Sequence, residues 1–150
     1  MLLLCILEYK VNRRLSVLSC LVLGDSIAVG TAMYKPHCEL HAKVGINSLA
    51  WTQHYLTNDL GANKVIISLG SNDWNSGVTK HALETLRSNI TSESKVIWLI
   101  PAIKPAIRTI VENIAHAHGD GMIDLLLVPR CSDHIHPTDA GYKLISHMTS

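Results

Sequence analysis

Apolar runs alternate with stretches of helical repeat along the chain from residue 15 onward. Five runs have the length and the Val, Ile and Leu content of buried strands, and they span residues 15–24, 38–45, 64–70, 95–101 and 121–129. Between the later runs apolar residues recur at helical spacing, in one set Val78, Ala82, Leu83, Leu86 and Ile90, and in another Ile107, Ile110, Val111 and Ile114. Apolar strands separated by helices predict an α/β protein with a five-stranded parallel sheet between two helical layers.

Two further helices complete this predicted three-layer α/β/α sandwich. One is short and covers residues 48–56, and the other closes the chain with apolar side chains at positions 140, 144, 145 and 148. Pro137 is expected to start the last helix, because proline suits the first helical turn. The 150 residues contain no internal repeat or linker, so the pattern predicts one domain over residues 15–150.

The first 14 residues do not follow this repeat, and we interpret them as an N-terminal extension or an extra edge strand. They open with the apolar run MLLLCIL, which has no basic residue before it and is followed by EYKVNRR. The run is too short for a membrane span and has the wrong flanks for a secretory signal peptide. The cytoplasm is therefore the favoured compartment, with export by another route or packaging in a phage particle as the alternatives.

The charge and cysteine content exclude several classes of partner. Thirteen basic and twelve acidic residues give a formal charge of +1, and the longest basic run is two residues, so neither nucleic acid nor a membrane surface is expected as a partner. The four cysteines include no Cys-x-x-Cys pair, which excludes a zinc ribbon or a redox motif of that type. Cys20 is expected to pack within its apolar strand. The sequence leaves open whether a disulfide forms and whether the chain associates with copies of itself.

Polar loops follow four of the predicted strands, at the point where each strand ends. Their sequences are GDSIAVG after the first strand, GINS after the second, GSNDWNSG after the third and RCSDHIHPTDAG after the last. In an open α/β sheet such loops gather at the carboxyl edge, where ligands bind. Together they bring a serine, a glycine, an asparagine and an Asp–His pair to one place.

These residues are the groups that acyl transfer requires. Ser26 is a candidate nucleophile that needs a base within hydrogen-bond reach, and His136 is a candidate base. Asp133 is placed to hold the imidazole of His136 in one tautomer. The backbone N–H groups of Ser26 and Gly45 and the side-chain amide of Asn72 are candidate donors to an oxyanion. A helix cap alone would also explain the Gly-Asp-Ser stretch.

At these four loops the chain resembles the SGNH (GDSL) hydrolases. That family is recognised by Ser in Gly-Asp-Ser, by a Gly, by Asn in Gly-x-Asn-Asp and by His in Asp-x-x-His-Pro. Here the four blocks are residues 24–26, Gly45, residues 70–73 and residues 133–137, in the family's order. The resemblance covers residues 16–149, and Ile27 stands where the family often has Leu.

The resemblance implies a flavodoxin-like fold with strand order 2-1-3-4-5 and an esterase or lipase activity that needs no cofactor. It also assigns Ser26, Asp133 and His136 to the catalytic triad, and Ser26, Gly45 and Asn72 to the oxyanion hole. Trp74, Asp25 and Asp73 are further candidates for lining the substrate site, although the two carboxylates also suit turns. A metal site built from the Asp133 loop is the weaker alternative, because the triad already explains Asp133 and His136.

The sequence therefore predicts a serine ester hydrolase that works through a covalent acyl-enzyme. The loops carry no long insertion, which favours an open site and a small acyl group, and the resemblance suggests acetyl esters, including those of carbohydrates. A lysophospholipase or thioesterase is the alternative enzyme. A carbohydrate-binding surface module that keeps the fold without turnover is the alternative outside enzymes.

Overall fold

A computed structural model describes residues 18–56 and 60–150 of the chain. The predicted N-terminal extension, residues 1–14, and the first three residues of the predicted first strand lie outside these ranges. The strands are β1 (Leu18–Gly24), β2 (Glu39–Ala42), β3 (Ala62–Ser68), β4 (Lys95–Ile100) and β5 (Gly121–Asp124). The helices are α1 (Ser26–Met33), α2 (Ser48–Tyr55), α3 (Ser76–Ser88), α4 (Pro105–His118) and α5 (Asp139–Met148).

The five strands form one parallel sheet in the order β2-β1-β3-β4-β5, which confirms the predicted fold. Successive residues of each central strand enter opposite cores, as the two-residue period of a strand requires. Leu21 and Leu23 pack with Trp51 under α2, α3 and α4, whereas Val22 packs with Ile145 on the side of α1 and α5. Both faces of the sheet are therefore covered.

Several boundaries differ from the sequence-based prediction, among them those of β2, which covers 39–42 instead of 38–45, and two of the differences have a clear local cause. The last strand stops at Asp124, because this side chain accepts the N–H of Leu126 and turns the apolar run into a 3-10 turn at Leu125–Leu127. The last helix starts at Asp139 instead of Pro137, because the Thr138 side chain caps it by accepting the N–H of Gly141. Both predictions were wrong for the same reason: a short polar side chain accepts a backbone N–H and so sets where the element ends or begins.

Cys20 and Cys38 form a disulfide, which corrects the expectation that Cys20 is only packed. The bond joins β1 to the segment that precedes β2, and the Cα atoms are 4.5 Å apart. Within the described ranges Cys131 is the free cysteine, and it is exposed. None of the helices in those ranges combines the length and apolar character needed to cross a lipid bilayer.

Candidate active site

Ser26 occupies a tight turn between β1 and α1. Gly24 has a φ of 138°, and a Cβ at this position would overlap the carbonyl oxygen of Ser68 on the neighbouring strand. The glycine therefore lets the chain leave the strand while still pressed against β3. Asp25 caps α1 through a 3.0 Å bond from the N–H of Ile27, so Ser26 becomes the first helical residue at the carboxyl edge of the sheet.

The structure brings Ser26, His136 and Asp133 into one hydrogen-bonded chain. Ser26 Oγ lies 2.9 Å from Nε2 of His136, although the two residues are 110 positions apart. Nδ1 of His136 lies 2.6 Å from Oδ2 of Asp133. The side chains of His136 and Asp133 are 41% and 44% exposed, so the site lies open at the surface.

The loop of residues 130–137 holds Asp133 and His136 in position. An antiparallel bridge joins Arg130 to Pro137, and within it the N–H of Cys131 donates to the carbonyl of His136 at 2.8 Å. Oδ1 of Asp133 accepts the N–H groups of Ile135 and His136 at 2.8 and 3.0 Å. The second carboxylate oxygen is thereby turned toward the imidazole.

These bonds also fix the charge of Asp133. The N–H of Ile135, the imidazole of His136 and the N–H of His136 lower the pKa of Asp133 to about 2. An ionised carboxylate only accepts hydrogen bonds, so Nδ1 of a neutral His136 carries the proton. Nε2 is then the acceptor that faces the Ser26 hydroxyl, which is the arrangement a general base needs.

The three candidate oxyanion donors lie on neighbouring loops that are bonded to one another. The N–H of Lys43, just past β2, donates to the carbonyl of Gly24 at 3.0 Å. Asn72 Nδ2 donates one hydrogen to the carbonyl of Ile46 at 3.1 Å, which leaves its second hydrogen for a ligand. No hydrogen bond of the described residues uses the N–H of Ser26 or Gly45. Gly45 has a φ of 79° in an exposed turn, a conformation that suits glycine.

Asp25 lies beneath the site instead of lining it. Its side chain is fully buried, and Oδ1 also accepts the Ser68 hydroxyl at 3.1 Å. Oδ2 has no partner among the described residues, and burial raises the pKa of Asp25 to about 6. With no exposed surface, Asp25 has the turn-forming role that its residue type suggested, and the expected contact with substrate is not supported.

Asp73 is likewise a structural carboxylate. It is 3% exposed, and its two oxygens accept the N–H of Ser48 at 2.9 Å and the hydroxyl of Thr79 at 2.7 Å. These bonds tie the start of α2 and the first turn of α3 to the loop that carries Asn72. Asp73 therefore positions this loop and offers little surface to a substrate.

Trp74 is the expected lining residue that the structure leaves accessible, since its side chain is 88% exposed. Lys104 places its Nζ 3.6 Å from the centre of the Trp74 ring and donates to the carbonyl of Ser71 at 2.9 Å. Lys104 was not predicted as part of the site, because it lies 30 positions from Trp74 on another loop. The local sequence that could have drawn attention to Lys104 is its position directly before Pro105.

Solved structures of other proteins share this fold. No protein-family model and no curated protein matches the chain. Among solved structures it is similar to a candidate acylhydrolase from Bacteroides fragilis, with 17% identity and a TM-score of 0.63 over 87% of this chain and 83% of that one. It is also similar to a member of the lipolytic G-D-S-L family from Veillonella parvula, with 14% identity and a TM-score of 0.61 over 86% and 94% of the two chains.

Proposed function

We propose that this chain, which has the SGNH hydrolase fold, is a serine ester hydrolase that forms a covalent acyl-enzyme on Ser26. The observation that carries the proposal is the unbroken chain from Ser26 Oγ to His136 Nε2 and from His136 Nδ1 to Asp133, with distances of 2.9 and 2.6 Å. It stands beside unused backbone N–H groups at the carboxyl edge of the sheet, where such folds bind ligands.

The proposed reaction moves each proton through an atom of this chain. Ser26 Oγ attacks the ester carbonyl while His136 Nε2 takes the hydroxyl proton. The tetrahedral oxyanion accepts hydrogen bonds from the N–H groups of Ser26 and Gly45 and from the free amide hydrogen of Asn72. His136 then gives its proton to the leaving alcohol, and a water activated by the same nitrogen releases the acid. Asp133 remains ionised and stabilises the imidazolium.

The proposed substrates are esters of small acyl groups, and acetylated carbohydrates are the first natural esters to test. The open position of His136 supports this choice, because a half-exposed imidazole leaves room for a bulky alcohol. The two similar structures are called an acylhydrolase candidate and a lipolytic G-D-S-L protein, which is compatible with ester hydrolysis here.

The test is release of p-nitrophenol from p-nitrophenyl acetate at pH 7.5 by the wild type and by Ser26→Ala. We expect Ser26→Ala to lower kcat at least about 10³-fold, because the nucleophile of such a triad acts as a unit with its base. Ser76→Ala is the matched control, since Ser76 also begins a helix directly after a capping residue, Asn75. It should retain activity within about twofold, as expected for a surface substitution.

Two outcomes would contradict the proposal. Equal turnover by the wild type and Ser26→Ala would remove Ser26 from the mechanism. A wild type that hydrolyses neither aryl esters nor acetylated sugars, yet binds those sugars, would favour the carbohydrate-binding module instead.

A further inference from the structure

A cleft of about 170 Å³ opens beside Asn72. Its apolar walls are Leu49 from the first turn of α2, Trp74 from the loop after β3, and Val78 from the first turn of α3. These side chains are 41%, 88% and 41% exposed. Three large apolar side chains grouped around one opening are the kind of exposed patch that marks a binding site.

Three residues of this lining, Asp73, Asn47 and Asn75, already use side-chain oxygens within the protein. Both oxygens of Asp73 hold other residues, as described above. The side-chain oxygen of Asn47 accepts the N–H of Ala50 at 2.8 Å, and that of Asn75 accepts the N–H of Val78 at 3.1 Å. Amide N–H groups of the asparagines remain available to a ligand, but most of the surface that lines the cleft is apolar.

Lys104 holds the most exposed wall of the cleft in place. Its ammonium lies over the Trp74 indole and is anchored to the carbonyl of Ser71. Lys104 has a φ of 61° although it precedes Pro105, and both chirality and the following proline disfavour that conformation. Lys104 therefore has a backbone conformation that glycine would adopt at a lower steric cost. An indole fixed by a cation loses less freedom when a ligand packs against it.

We propose that this cleft is the acyl subsite of the enzyme and accepts an unbranched apolar acyl group of up to about six carbons. An engineered cavity of about 150 Å³ holds benzene, so a volume of about 170 Å³ suits a six-carbon group. Asn72 lines the cleft and also carries the amide hydrogen proposed for the oxyanion, so the proposal places the start of the acyl chain beside Asn72. Trp74 is its wall and Lys104 is a positioning residue. This inference rests on the proposed ester hydrolase function.

The experiment measures kcat/KM for p-nitrophenyl acetate, butyrate, hexanoate, octanoate and decanoate. Complete burial of one methylene corresponds to about fourfold in binding, so an open cleft should give about twofold per methylene up to hexanoate and no gain beyond it. Trp74→Ala should reduce the hexanoate-to-acetate ratio at least about fivefold. Leu127→Ala removes another exposed leucine, far along the chain in the turn after β5, and should leave the ratio unchanged.

A second pair of variants tests the positioning role of Lys104. Lys104→Met keeps the aliphatic stem and removes the cation, and it should lower the hexanoate-to-acetate ratio. Lys104→Arg should restore the ratio, because a guanidinium also stacks on indole. Val78→Thr, which changes the polarity of the wall at constant volume, should lower the ratio in the same direction. A role for Lys104 in fold stability alone would lower the rates on all esters by one factor and leave the ratio unchanged.

The outcomes separate this subsite from the proposed function. A wild type that hydrolyses the acetate but shows no rise with chain length would overturn the subsite and keep the ester hydrolase. An equal loss of kcat/KM on all esters in Trp74→Ala would also overturn the subsite and keep the ester hydrolase. A variant with weaker hydrolysis of acetylated sugars and an unchanged dependence on acyl length would do the same, because that result would place the alcohol of the ester in the cleft. A wild type inactive on every ester would overturn the proposed function itself.

Discussion

Asp25 combines full burial with an oxygen that no described residue contacts, directly beneath the proposed nucleophile. Burial penalises its charged form and raises its pKa to about 6, against the opposing effect of the Ile27 N–H. An aspartate in an unfolded chain releases its proton near pH ~4. Between these two values the folded state binds the proton and the unfolded state does not. The contribution of Asp25 to stability therefore falls as the pH rises from about 4 to about 6.

Asp25→Asn should remove this fall, because asparagine also caps helices but does not ionise. We expect the free energy of unfolding of the variant, relative to that of the wild type, to increase by about 2–3 kcal/mol between pH 4 and pH 7 and then to level off. Urea unfolding of both proteins across this pH range measures the difference. Curves that stay parallel at all pH values would contradict the assigned burial effect, whatever their vertical offset.

At the level of residues, the sequence predicted contacts between side chains that lie close together along the chain. The spacing Asp133-x-x-His136 is short enough to form its hydrogen bond within one loop, so the pattern itself indicates the contact. The contact of Lys104 with Trp74 depends on a left-handed backbone and on two loops that meet only in the folded sheet. The residues around Lys104 and Trp74 do not indicate that these two side chains are in contact. The burial of Asp25 was missed for a related reason, because it depends on Ser68 of the adjacent strand.

A buried ion pair fastens three elements on the α3 and α4 side of the sheet. Asp120, after α4, accepts Nε and Nη2 of Arg87 in α3 at 2.7 and 2.9 Å. The indole N–H of Trp98 in β4 donates to the same carboxylate at 2.9 Å. The side chains of Arg87 and Asp120 are only 8% and 4% exposed, so each charge depends on the other for compensation.

Asp120→Ala should lower the free energy of unfolding by about 3–5 kcal/mol, because it leaves the Arg87 guanidinium buried without its partner. Lys80→Ala is the control, since it breaks the exposed pair of Lys80 and Glu84 on the same helix. That change should cost less than about 0.5 kcal/mol. Urea unfolding followed by circular dichroism measures both, and a loss below about 1 kcal/mol for Asp120→Ala would contradict the account.

At the level of elements, periodicity predicted the types of element better than their ends. The apolar runs of β3 and β4 and the helical repeats of α3 and α4 were identified because burial dictates their patterns. The ends of β5 and the start of α5 depend on single hydrogen bonds from Asp124 and Thr138. A hydrogen bond from such a side chain is an alternative to the backbone hydrogen bond of a strand or helix, so hydrophobic patterning does not determine which of the two forms.

For the molecule as a whole, the disulfide between Cys20 and Cys38 adds a covalent restriction to the chain. It closes a loop across 18 positions that includes Ser26 and all of α1. The sequence left the pairing open because four cysteines permit several connectivities. Disulfides persist mainly under oxidising conditions, so this bond is expected to open under reducing ones.

Reduction of the Cys20–Cys38 bond should lower the free energy of unfolding by about 3 kcal/mol, the chain-entropy value for a loop of this length. Urea unfolding with and without dithiothreitol measures the effect. Cys131→Ser is the control, because Cys131 is a free exposed thiol, and the variant should show the same sensitivity to reductant as the wild type. Identical midpoints under both conditions would show that this bond contributes nothing to stability.

The order of the proposed catalytic groups along the chain divides the molecule into two parts, neither of which contains the whole set. The proposed nucleophile and the three proposed oxyanion donors precede residue 73, whereas the proposed base and its carboxylate partner follow residue 130. The exposed turn Thr91-Ser92-Glu93 lies between them, just before the pairing of β4 with β3. Severing the backbone at that turn would give one fragment with the serine and another with the imidazole. Ester cleavage would then signal that the two fragments had met and rebuilt their common sheet.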